Sequence, residues 1–81
     1  MALARGVATF TATDTASFTW TDYLTGNPIV LGSTPSVFSQ AVTSLDGTVQ
    51  AASLQGVPTT SGGTASVLGS FTGTVTFLAT G

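Results

Sequence analysis

Few residues in this chain have the chemistry for a reaction: Arg5, Asp14, Asp22 and Asp46, with Tyr23 and Asn27 close to the third of them. Histidine, cysteine, lysine and glutamate are all missing. Nucleophile–base triads and Cys–His dyads therefore lack their members, and no glycine-rich phosphate loop is present. A general acid–base pair would need two aspartates brought together with separated pKa values. Asp14 and Asp46 instead stand in turn sequences, where a short carboxylate bonds its own backbone. The three aspartates also lack the spacing of a calcium loop. The reading predicts no catalytic residue, no metal ligand set and no cofactor, so the chain is not expected to be an enzyme.

Binding chemistry is better represented. Asp22, Tyr23 and Asn27 lie near Trp20, and an aromatic beside polar groups is a sugar platform. Trp20 shares a face with Phe18 and is expected in the core, where its N–H needs one partner, so Tyr23 and Asn27 are the surface candidates. Thr72, Thr74, Thr76 and Thr80 form a stripe suited to a solvent or inter-subunit face. Arg5, the sole basic residue, is a candidate interface anchor, because arginine is enriched where binding energy concentrates.

The elements that must position these residues are strands. Val7 to Thr13 and Ala16 to Tyr23 alternate and predict a first hairpin turning at Asp14-Thr15. A loop with Gly26, Asn27 and Pro28 follows, then the short apolar run Pro28 to Leu31. Pro35 to Gln55 predicts a central hairpin about Asp46-Gly47, with Leu45 opposite Thr48, Val42 opposite Ala51 and Ser39 opposite Leu54. Small uncharged residues would occupy both of its faces, whereas a hairpin with one wet side alternates apolar with polar. One face should therefore meet a standing partner, with Val37, Ala41, Leu45 and Leu54 as its candidate contacts. Thr64 to Leu68 is a modest strand, and Ser70 to Gly81 is the most regular one, with Phe71, Val75, Phe77 and Ala79 on one side. Gly73 within it predicts a bulge or a close backbone approach. These segments predict an all-β chain: a small antiparallel β-sandwich of six to seven short strands.

Composition supports the expectation of a partner. Eighty-one residues make one domain, 1–81, with 1–6 as a possible terminal arm, and no cysteine is available to staple it. Only 5% of residues are charged and mean hydropathy is +0.49. A soluble monomer carries about a quarter charged residues. Oligomerisation is the remaining means of stabilising so small a core. A net charge of −2 excludes a phosphate-binding track, hence nucleic acid, and no apolar run suits a signal peptide or a membrane helix. Synthesis in the cytoplasm is expected.

Gly6, Phe10, the aromatic pair Phe18 and Trp20, the Pro-punctuated middle at Pro28, Val30, Pro35 and Val37, and the closing GTVTFLATG from Gly73 to Gly81 follow one another in an order that resembles the H-type lectin-like modules of agglutinins and phage tail-fibre tips. That resemblance implies a trimeric antiparallel sandwich with a sugar-binding or virion role, Asp22, Tyr23 and Asn27 being the candidate glycan contacts. Sugar sites in such lectins use charged and aromatic residues near the subunit interface, and this chain has few of the former. A short signal-free β-rich chain beginning at Met1 is also similar to the small decoration, or cement, proteins of tailed phages. This second resemblance implies a homo-oligomer seated on a major capsid or other virion protein, made in the host cytoplasm and carried in the virion. A self-assembling subunit of an extracellular filament or surface layer, joined through strand edges, is the third expectation.

Overall fold

Threonine, serine, valine and alanine recur between aromatic residues towards both ends of the chain, and each end forms one long strand. In the computed structural model, which describes residues 2–47 and 51–81, the elements are β1 (Leu3–Asp22), β2 (Ser36–Ser44), β3 (Ala52–Leu54) and β4 (Gly62–Thr80). They form a single antiparallel sheet and no helix among the described residues. β4 is its spine, flanked by β1 along one side and by β2 and β3 in succession along the other.

The strand count differs from the six to seven short strands expected, because two pairs of expected strands are continuous. β1 runs for 20 residues and β4 for 19. Asp14-Thr15 is not a turn. The chain passes through it in a bulge, where the register steps from Phe10↔Gly73 to Thr13↔Phe71 and then to Thr15↔Ser66. An extra residue in β1 before Thr13, and then extra residues in β4 between Ser66 and Phe71, sharpen the bend without ending the ladder. Ala12 takes the strained part of this bend, at φ 49°, and its N–H donates to Thr72 Oγ1 at 3.1 Å.

The central hairpin is also replaced. Val42 pairs with Val75 rather than Ala51, and Ser39 with Leu78 rather than Leu54. Leu54 pairs with Ala65. Gly47 does turn the chain, at φ 83°, but β2 and β3 go to different stretches of β4. The expected partner of Leu45, Thr48, lies outside the described residues. Nor are residues 2–6 a free arm: Ala2 and Gly81 exchange both backbone hydrogen bonds, at 3.0 and 3.2 Å, and Gly6 pairs with Phe77.

The bend folds the β1–β4 ribbon over itself. Phe18, from the far half of β1, stacks on Phe77 at 5.2 Å and meets Trp20 edge-on at 5.0 Å. Phe10 and Phe71 make a second edge-to-face contact at 5.6 Å beside the bend. Ala4, Ala8, Val75, Ala79, Ala65 and Leu31 fill the space between. Each large side chain fully buried here contributes about 1.5–3 kcal/mol. Trp20 Nε1 donates to Thr59 O at 3.0 Å, so the buried indole is satisfied.

Candidate functional site: an uncharged face and an open strand edge

Residues paired across an antiparallel ladder share a face. Because Phe77, Val75 and Ala79 are buried, their neighbours in β4 point outward. The outer face of β1–β4–β2 therefore reads Leu3–Thr80–Ser36, then Arg5–Leu78–Ser39, then Val7–Thr76–Ala41, then Thr9–Thr74–Thr43. Arg5 is the one charge on it. The far half of the ribbon shows an outer face of hydroxyls, Thr15, Ser17, Thr19, Ser53, Thr64 and Ser66, with Ser53 and Ser66 hydrogen-bonded at 3.3 Å.

The same register fixes which backbone groups are spoken for. Ala2 bonds Gly81 directly, so the even residues of β1 face β4 and the odd ones face away. Leu3 O accepts from Tyr23 N at 3.1 Å, and Arg5 O from Thr21 Oγ1 at 3.1 Å, which closes this end of the β1 edge. On β4, alternation leaves Thr74, Thr76 and Leu78 to bond Thr43, Ala41 and Ser39 of β2. Leu45 N, which donates to Thr72 O at 3.0 Å, keeps the same phase. Gln40 and Val42, and Val37 beyond the bulge at Phe38, thus turn their backbone N–H and C=O groups away from the sheet. Among the described residues no strand lies beyond β2, which is an open edge of the sheet. Phe38, at 60% exposure, and Val42, at 38%, stand along it.

The expected contact residues do not form one surface. The bulge puts Val37 on the opposite side from Ala41: Val37 pairs with buried Ala79 and packs on the core, while Ala41 faces outward. Leu54, on β3, also packs on the core. Leu45 is 73% exposed just past β2, and Arg5 is exposed with its guanidinium 4.8 Å from the Tyr23 ring centre. Phe38 and Val42 were not among the expected contacts. The alternation marked them as strand residues but carried no sign of a bulge or of which edge would stay open.

Asp22, Tyr23 and Asn27 do come together, in the turn after β1. Asp22 N donates to Asn27 O at 2.8 Å and Gly26 N to Asp22 O at 2.8 Å. The carboxylate is taken up locally, one oxygen accepting from Leu24 N at 3.3 Å and the other from Thr25 Oγ1 at 3.1 Å. Asp46 serves its turn in the same way, accepting from Ser44 Oγ and from Thr72 N, both at 3.0 Å. Asp14 is exposed on the bulge. Among the described residues there is no cluster of metal-binding side chains and no ligand-sized cavity. Compared with known protein families, curated proteins and solved structures, the chain shows no match.

Proposed function

We propose that this chain is a non-enzymatic virion structural protein, most concretely a capsid decoration protein that oligomerises and stabilises a shell through apolar contacts. The observation that carries the reading is the outer face of β1–β4–β2, where Leu3, Val7, Leu78 and Ala41 stand among threonines with Arg5 as the only charge. A sheet face of this composition gains by being covered rather than hydrated. Leu45 and Leu68 are exposed as well, at 73% and 93%. The virion assignment rests on the resemblance to small β-rich decoration proteins, and within it the folded-over ribbon is read as a small sandwich.

Incubating the purified protein with undecorated shells and sedimenting the particles tests the reading. Bound protein should co-sediment and raise the temperature at which the shells open. The binding should change by less than about threefold between 0.05 and 0.5 M salt, since the contact is apolar and screening acts on charges. No binding to any shell, together with saturable binding on a glycan panel lost in Tyr23→Ala, would replace this reading with the sugar-binding one.

A further inference from the structure

We infer that β2 pairs antiparallel, along its open edge, with β2 of a second copy about a two-fold axis at Gln40, joining two sheets into one. This deepens the structural reading above and relies on it only for the expectation that copies associate.

The edge is a hydrogen-bonding template in search of a strand. The N–H and C=O groups of Gln40, Val42 and Val37 point away from β4 by register. An unpaired row of this kind is what another extended chain binds. Proteins that keep such an edge single place charges, a proline or a bulge along it. Ser36–Ser44 reads SVFSQAVTS, with neither charge nor proline, and its bulge lies near one end, between Val37 and Ser39, leaving Ser39 to Ser44 in regular register.

A second copy fits this edge for two reasons. An isologous contact sets only the residue on the axis against its own duplicate and pairs β2 with its own composition elsewhere, and β2 carries no charge that would face a like charge or be left buried without a counter-ion. The axis at Gln40 also sets Val42 of each copy across from the Val37–Phe38 bulge of the other. This covers the two large apolar side chains that β2 leaves exposed with an aromatic–branched cross-strand pair. A head-to-tail ring would instead need β2 to reach the β1 edge of the next copy. There Leu3 O and Arg5 O already accept hydrogen bonds from within the chain.

Amide exchange read residue by residue tests the pairing on the whole protein. The Gln40 and Val42 amides, which face away from β4, should exchange about tenfold or more slowly at concentrations where the mass is that of a dimer. Dilution to monomer should release them, leaving Val75 and Phe77 protected. Phe38→Lys should release them at all concentrations and weaken the dimer about tenfold or more. Should that variant fail to fold, wild-type dilution supplies the same comparison. Fast exchange of both amides in the associated protein, a closed trimer, or protection that appears only with a foreign protein present would overturn the pairing. The decoration reading survives each of those results. It falls if an edge-paired dimer binds no shell, and the pairing then stands.

Discussion

A β-carbon at Gly6 would enter the space of the Phe18 ring and come within 3.0 Å of Trp20, so this position holds glycine because an aromatic from the other half of its own strand rests on it. Gly6→Ala should destabilise the protein by about 1–3 kcal/mol, the range for overpacking a filled core, as read from a denaturation midpoint. Trp20 acts at the same contact and adds one buried hydrogen bond. Trp20→Phe keeps most of the ring and leaves Thr59 O without its donor, so it should cost about 1–2 kcal/mol. Of the residues singled out for chemistry, Asp46 is explained by turn geometry, as expected of a short carboxylate, and Asp22, singled out as a glycan contact, is bonded within its own turn as well. Asp14, in a sequence of the same kind, sits on a bulge, because Asp-Thr tolerates either irregularity and nothing local separates them.

Strand existence was legible in the alternation. Phe18 and Trp20, and Phe71, Val75, Phe77 and Ala79, were each expected to share a face, and all of them are buried. Partnership was not legible. An Asp-Gly pair reports only that the chain can turn, whereas the partner of Val42 is decided by a ladder to Val75, far away in sequence. The bulge between Phe10 and Thr15 explains the other difference. It bends β1 as a turn would, and the strand continues beyond it on the same partner. Gly73 was expected at a bulge or a close backbone approach, and a β-carbon there would collide with Thr43 O and the Phe71 ring. Ala12 carries the bulge's left-handed backbone. Ala12→Gly should therefore be neutral or stabilising by up to about 1 kcal/mol, the opposite of the usual loss for glycine in a strand, as read from thermal unfolding.

For the whole molecule, a core of one folded ribbon must stabilise 81 residues that hold no disulfide. The surface left over is poor in charge, and the edge strand β2 carries neither charge nor proline. A further covered sheet edge and face would supply the burial that a chain of this size lacks alone. Such stability should depend on protein concentration, with the unfolding midpoint rising as the concentration is raised. The measurement that tests the account most directly is the mass of the purified wild-type protein in dilute solution, by sedimentation equilibrium. The account predicts a closed, reversible oligomer well above the 8.0 kDa of one chain, with no open-ended series. A soluble monomer at every concentration would contradict it.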